Sequence, residues 1–176
     1  MNLPNKLTVL RVIMVPLFIA AYLLGHYFIA FIVFVLASFT DFLDGKIARE
    51  RNLVTNFGKI MDPLADKILV YSALCLFLQF GYIKAWMLIV VLAREFVIAG
   101  MRTVAASEGR VLAADMSGKI KTVLQMVGVS VMLLGLAIPN NENILIAGSF
   151  IFLASVIMTV YSGCEYIIKN KDVFSM

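Results

Sequence analysis

Long apolar stretches, broken by short polar segments, make up most of this chain. Residues 12–40, 122–141 and 143–164 contain no Asp, Glu, Lys or Arg, and roughly 20 apolar residues are enough for a helix to cross the hydrocarbon core of a bilayer. As one helix, residues 12–40 would measure about 43 Å, which is too long for a single crossing. We therefore predict membrane-spanning helices, with a turn at Gly25-His26.

The whole pattern predicts an all-α integral membrane protein with six transmembrane helices, in a single domain over residues 1–176. Turns at Gly81 to Lys84 and at Pro139 to Asn143 separate the later helices. The predicted helices are 7–24, 27–48, 60–80, 85–103, 119–138 and 144–168. The composition agrees, because 62% of the residues are hydrophobic, against roughly 45–50% in soluble domains.

The basic residues indicate the orientation of these helices. An even number of spans puts both termini on one side of the membrane, and on this topology every Lys and Arg except Lys84 lies on or nearer to that side. Because Lys and Arg accumulate in cytoplasmic loops, we expect the termini and the 46–59 and 104–118 loops to face the cytoplasm.

Cysteine and histidine chemistry is not indicated. Cys75 and Cys164 both fall in apolar segments without CxxC or Cys/His spacing, and His26 is the only histidine. We therefore expect neither a zinc site nor a structural disulfide, and nothing supports a Ser-His-Asp mechanism.

Two pairs of aspartates interrupt the apolar pattern. Asp41 and Asp44 are three residues apart, and Asp62 and Asp66 are four apart, so each pair shares one face of a helix. The intervening loop is short, which makes the two helices antiparallel neighbours whose acidic faces can meet. Ionised carboxylates at a membrane are costly unless compensated, and two hard divalent cations would balance four of them. Two metal ions about 3.5–4 Å apart indicate phosphoryl or phosphodiester chemistry.

Neighbouring residues fit a phosphate ligand. Gly45 and Gly58 would let the backbone approach a bulky anion, and Arg49 offers a guanidinium to a phosphate. The alternatives are ordinary interfacial salt bridges or a path for divalent cations through the membrane. A cation path would spread acids across the bilayer, whereas these aspartates cluster near one face.

The chain resembles the CDP-alcohol phosphotransferase family in all eight fixed positions of its signature, here Asp41-x2-Asp44-Gly45-x2-Ala48-Arg49-x8-Gly58-x3-Asp62-x3-Asp66. Segments outside the signature resemble the bacterial members that use glycerol 3-phosphate as acceptor. These segments are Asn5-Lys6-Leu7-Thr8 with Arg11, Ala93-Arg94-Glu95, Arg102, and Gly118-Lys119-Ile120-Lys121-Thr122.

The resemblance implies a six-helix, usually dimeric bundle that transfers the phosphatidyl group of CDP-diacylglycerol to sn-glycerol 3-phosphate. It implies a multi-pass enzyme of the bacterial plasma membrane, surrounded by membrane lipids, with its site facing the cytoplasm and no nucleic-acid partner. Two divalent cations, Mg2+ or Mn2+, would be bound by Asp41, Asp44, Asp62 and Asp66. Asp66 would also be the general base, and CDP-diacylglycerol would be bound through its CMP part by Asp41, Gly45, Ala48, Arg49 and Gly58. Another acceptor, such as inositol phosphate, serine or phosphatidylglycerol, stays open because the signature recognises the donor.

The phosphate of the acceptor needs cations of its own. The candidates lie near the predicted cytoplasmic face and are Lys119, Lys121, Arg102 and Arg11; two of them can bind a doubly charged phosphate. Contact with lipid headgroups is the alternative for these four residues. Arg94 and Glu95 fall inside the fourth predicted span, where we expect them to form an ion pair within the bundle; direct contact with a substrate is the alternative.

Overall fold

A computed structural model describes the backbone of residues 3–50, 56–113, 115–139 and 141–173, and the side chains of 9–40, 64–65, 67–113, 115–139 and 141–173. Over the described residues the chain forms six α helices and no strand, which confirms the all-α prediction. The helices are α1 (Leu3–Leu23), α2 (Tyr27–Glu50), α3 (Asn56–Gln79), α4 (Ala85–Ser107), α5 (Met116–Ala137) and α6 (Glu142–Lys169), followed by a 3-10 turn at Lys171–Val173.

Glycines end three of these helices. Gly25, Gly81 and Gly109 have φ angles of 78°, 79° and 73°, a left-handed conformation that costs glycine little. At Gly25, the amide of His26 donates to the carbonyl of Ala21 (2.9 Å), as in a Schellman motif. The same pattern follows α3 and α4. The predicted turns at Gly25 and Gly81 are therefore confirmed, whereas the predicted end of the fourth helix at 103 is wrong because α4 continues to the Gly109 cap.

The main core takes residues from all six helices, with α4 contributing Leu88 and Val91. Aromatic side chains fill much of it, with the rings of Phe18 and Phe34 centred 5.8 Å apart and those of Tyr22 and Phe77 6.1 Å apart. Helix α4 packs against α6, and a second small cluster joins Ile98, Met101 and Tyr166 near its C-terminal end.

Close backbone contact between α5 and α6 depends on glycine. A Cβ atom placed on Gly135 would lie 2.5 Å from the backbone nitrogen of Leu145, and one on Gly148 would lie 2.6 Å from that of Met132. Gly128 is almost as close to Phe152. Small residues of this kind are what allow helices to approach closely inside a membrane, where van der Waals contact replaces the hydrophobic effect.

The surface of the bundle is strongly apolar. Large side chains such as Phe96, Phe150, Ile157 and Ile168 are mostly exposed, and soluble monomers rarely expose apolar area on this scale. By length and composition, α5 and α6 are the two helices able to cross a membrane within the described residues. The fold therefore combines a glycine-packed apolar pair with helices that carry charge.

Candidate active site

The eight signature positions fall on two helices. Helix α2 contains the first five of them, and α3 contains Gly58, Asp62 and Asp66. The helical backbone gives each aspartate pair the spacing for a common face. The side chains of Asp41, Asp44, Ala48, Arg49, Asp62 and Asp66 lie outside the described residues. The metal site and the CMP contacts therefore stay predictions.

A charged cluster joins α3, α4 and α5 next to the signature. The carboxylate of Glu95 accepts a hydrogen bond from Arg94 Nη1 at 2.8 Å and another from Lys121 Nζ at 2.8 Å. Lys67 Nζ lies 3.2 Å from the second carboxylate oxygen. The predicted Arg94–Glu95 ion pair is thus confirmed, and it belongs to a larger group of three cations around one anion.

This cluster has more positive than negative charge in a sheltered place. Among the described side chains, three cations face one carboxylate, so two of the positive charges have no anion there. Lys121 is only 4% exposed, whereas Lys67 is 40% exposed and faces outward. Because buried charge is costly unless it is paired, the arrangement is suited to an anionic ligand that enters beside Lys67.

Two glycines make room for Arg94. A Cβ atom on Gly118 of α5 would lie 3.0 Å from Arg94 Nη2, and one on Gly163 of α6 would lie 3.2 Å from Arg94 Cγ. The guanidinium therefore passes between α5 and α6 where both helices lack a side chain. This packing fixes the position of Arg94, and through its hydrogen bond it also orients the Glu95 carboxylate.

A cavity of about 110 Å³ opens beside the cluster. Its charged wall is formed by Lys67, Glu95 and Lys121, and its neutral polar wall includes Tyr71 and Gln125. Val70 and Met126 add an apolar side. Lys67 directly follows the signature residue Asp66 in α3, so the cavity adjoins the signature along the chain.

The structure separates the four cations predicted to bind the acceptor phosphate. Lys121 lines the cavity. Lys119 is exposed and is not one of the residues lining it. Arg102 stacks on the ring of Tyr166, 5.4 Å from its centre, and donates from Nε to the Tyr166 hydroxyl at 3.1 Å. Arg11 is completely buried in α1.

Several residues of this cavity, among them Lys67 and Gln125, were not among the site residues predicted from the sequence. The available signal was helical spacing, because Gln125 lies four residues after Lys121 and therefore on the same face of α5. Within the described side chains, no cluster of three His, Cys, Asp or Glu residues is able to bind a metal ion.

Comparison with known proteins gives the family. A family model described as CDP-alcohol phosphatidyltransferase matches residues 1–161. The chain belongs to this family.

Named relatives match nearly the whole chain. A Bacillus subtilis protein named CDP-diacylglycerol–glycerol-3-phosphate 3-phosphatidyltransferase is 43% identical over 97% of this chain and 96% of its own length. A Rickettsia felis protein of the same name is 35% identical, covering 98% of this chain and 97% of its own length. A Mycobacterium tuberculosis protein named probable phosphatidylglycerophosphate synthase is 34% identical, covering 96% and 81%.

Proposed function

We propose that this chain transfers the phosphatidyl group from CDP-diacylglycerol to sn-glycerol 3-phosphate, which yields phosphatidylglycerol phosphate and CMP. The observation that carries this proposal is the match along nearly its whole length to relatives named for that reaction. The chain is accordingly a transferase of phospholipid biosynthesis, and CDP-diacylglycerol and glycerol 3-phosphate are its substrates.

The acceptor phosphate binds in the cavity beside Glu95. A phosphate monoester carries about two negative charges near neutral pH, which matches the excess charge of Lys67, Arg94 and Lys121 over Glu95. Lys121 and Lys67 are the direct ligands because both line the cavity. Glu95 holds the two lysines apart at its separate oxygens before the substrate arrives. Lys119, Arg102 and Arg11 contribute positive potential at this end of the bundle.

The donor binds at the signature on α2 and α3. Its CMP part is bound by Asp41, Gly45, Ala48, Arg49 and Gly58. The family is in general dependent on divalent cations, and four carboxylates offer the oxygen ligands that such ions prefer. We assign two ions, Mg2+ or Mn2+, to Asp41, Asp44, Asp62 and Asp66. When bound, such ions stabilise charge on the diphosphate and on the leaving CMP.

The reaction itself requires one proton transfer by the protein. The primary hydroxyl of glycerol 3-phosphate attacks the lipid-linked phosphorus, a new P–O bond forms, and the bond to CMP breaks. Asp66 accepts the hydroxyl proton, since an alcohol is a poor nucleophile until its proton is removed. Asp66 directly precedes Lys67 in α3, so the base and the acceptor-phosphate ligand are consecutive residues.

We further propose that residues 1–176 form one domain whose six helices all cross the bacterial plasma membrane, as a homodimer. The apolar surface supports the membrane assignment, and the Lys and Arg distribution favours a cytoplasmic position for the cavity. Helices α2, α3 and α4, which the composition does not identify as spans, carry most of the charged residues assigned to the site, such as Arg94 and Glu95 in α4. Functional charges lower the hydropathy of a span without removing it from the bilayer.

An acceptor panel tests this function. The purified protein receives CDP-diacylglycerol and Mg2+ with glycerol 3-phosphate, inositol phosphate, serine or phosphatidylglycerol in separate reactions, and mass spectrometry identifies the lipid product. We expect phosphatidylglycerol phosphate from the first reaction and little product from the others. A faster reaction with another acceptor contradicts the assignment.

The variant Asp66→Asn tests the base assignment. Asparagine retains the size of the side chain but cannot accept the proton, so turnover should be abolished while CDP-diacylglycerol binding is largely retained. Equilibrium binding of a fluorescent donor analogue gives the second readout. Near-normal turnover by the pure variant removes Asp66 from this role.

A further inference from the structure

Gln125 is a largely buried residue whose amide borders the cavity. It is 4% exposed and lines the cavity beside Lys121. Its amide atoms are not among the enclosed side-chain atoms that lack a partner, so they reach the space of the cavity. A ligand in the cavity can therefore form hydrogen bonds with this amide.

The position of Gln125 limits what that ligand can be. Gln125 is one helical turn from Lys121 on the same buried face of α5, and one turn is about 5.4 Å along the axis. A phosphate on Lys121 and Lys67 therefore places the atoms attached to it within the region next to Gln125. A short carbon chain fits this distance, whereas a second charged group would face a neutral amide.

The chemistry of an amide selects a hydroxyl group. The side chain offers one acceptor oxygen and two N–H donors, and a hydroxyl donates and accepts in the same way. Val70 and Met126 complete the wall and suit the methylene groups of the chain. We propose that Gln125 binds the hydroxyl on the middle carbon of the acceptor and so determines specificity for a hydroxylated phosphomonoester. This inference rests on the proposed function, because it takes the phosphate on Lys121 as given.

Two acceptors that differ by one hydroxyl test the proposal. Propane-1,3-diol monophosphate keeps the phosphate and the attacking primary hydroxyl of sn-glycerol 3-phosphate and lacks only the hydroxyl on the middle carbon. The measured quantity is the ratio of kcat/KM for the two acceptors. This ratio does not depend on the fraction of active protein. We expect the wild type to prefer glycerol 3-phosphate by about tenfold or more, because a site built to bind a hydroxyl rejects the analogue without it.

The variant Gln125→Met should remove this preference. Methionine is similar in length and apolar, so kcat/KM for glycerol 3-phosphate should fall about tenfold, as expected for one hydrogen bond, while the value for propanediol phosphate stays within about twofold. Gln79→Met is the matched control, since Gln79 is exposed at the end of α3 and should leave the ratio unchanged. If Gln125→Met does not fold, Gln125→Asn is the second variant. Its amide is set back from the cavity by one methylene group, so the ratio of kcat/KM for glycerol 3-phosphate to that for propanediol phosphate should also fall.

The outcomes separate this inference from the proposed function. A wild type that uses glycerol 3-phosphate with a ratio near one, or a Gln125→Met variant that keeps the full ratio, overturns the role of Gln125 and leaves the function intact. A wild type that makes no product from glycerol 3-phosphate overturns both.

Discussion

The two halves of α5 serve different purposes. The first half carries Lys121 and Gln125, which face a polar cavity, and the second half carries Gly128 and Gly135, which touch the backbone of α6. The first half of α5 thus presents side chains that can bind a ligand. The second half has glycines, which allow α5 and α6 to pack closely. The comparison teaches that one helix can separate ligand binding from packing. The close contacts of its second half with α6 hold its first half, which forms a wall of the cavity, in place.

The largest expected effect comes from removing the anion at the centre of the polar half. Glu95→Gln leaves Lys67, Arg94 and Lys121 facing one another, and breaking a buried ion pair costs about 3–5 kcal/mol. Thermal unfolding in detergent should show a clear loss of stability. Glu142→Gln, at the exposed start of α6, is the matched control.

The Glu95→Gln variant also tests the anion site. If the cavity binds phosphate, glycerol 3-phosphate should raise the unfolding temperature of the variant more than that of the wild type, since the ligand replaces the missing negative charge. Equal stability of Glu95→Gln and Glu142→Gln contradicts the importance given to this cluster.

A larger residue at a glycine contact disrupts the packing between the second half of α5 and α6. In Gly148→Leu the added Cβ lies 2.6 Å from the Met132 nitrogen, and backbone cannot yield as a flexible side chain does. We expect a loss of about 1–3 kcal/mol, typical of overpacking, with a normal KM for both substrates in the protein that still folds. Size-exclusion profiles and unfolding temperatures give the measurement.

The control for that variant is Gly100→Leu. A Cβ on Gly100 meets nothing within 4 Å, so the same substitution should leave stability nearly unchanged. Similar losses for both variants would show that the leucine side chain, and not the α5–α6 contact, causes the effect.

Removing one cation from the cavity has a selective effect. Lys121→Ala leaves Glu95 paired with Arg94 and Lys67, so the protein should fold, while the acceptor loses a charge-assisted hydrogen bond. We expect the KM for glycerol 3-phosphate to rise about 10–100-fold, with little change in the KM for CDP-diacylglycerol.

Two other lysines sharpen this result. Lys84→Ala, at the exposed start of α4, should change neither constant, and Lys119→Ala should have a smaller effect than Lys121→Ala because Lys119 does not line the cavity. Equal rises of the two KM values in Lys121→Ala would argue against a selective phosphate pocket.

The smallest effect concerns an ion pair in water. Arg110 donates to the carboxylate of Asp172, joining the loop before α5 to the C-terminal 3-10 turn. This hydrogen bond lowers the pKa of Asp172 from its ordinary value of 3.8. The stabilisation is therefore present above pH 3.8 and is lost as the pH falls below that value.

We expect Arg110→Gln to lower the unfolding temperature slightly at pH 7, and this difference from wild type should shrink as the pH falls below 3.8. Exposed pairs contribute little because water and salt screen them. If Arg110→Gln lowered the unfolding temperature as much as Glu95→Gln does, burial would not explain why the two ion pairs differ in their contribution to stability.

Much of the fold was predictable because it depends on local signals. Apolar runs of spanning length predicted the helices, and Gly25 and Gly81 predicted two turns. Arg94 and Glu95, adjacent charges in an apolar helix, predicted their own ion pair. The helix end at Gly109 was not predicted because polar residues surround this glycine, so no change in hydropathy indicates where α4 ends.

The cavity was harder to predict because it depends on how three helices are rotated about their axes. Lys67, Glu95 and Lys121 come from three separate segments. Their meeting follows from contacts such as Arg94 between Gly118 and Gly163, which hydrophobic periodicity does not encode. For the same reason, sequence grouped Lys119 with Lys121 although only Lys121 lines the cavity.

The central claim is that the chain joins the two substrates in one displacement. Purified protein should receive CDP-diacylglycerol, Mg2+ and sn-glycerol 3-phosphate labelled with 32P, and both CMP and lipid-extractable label should be measured. We expect one CMP to be released for each label transferred, and neither product to form with Asp66→Asn. Release of CMP without label in the lipid would show hydrolysis and contradict the account.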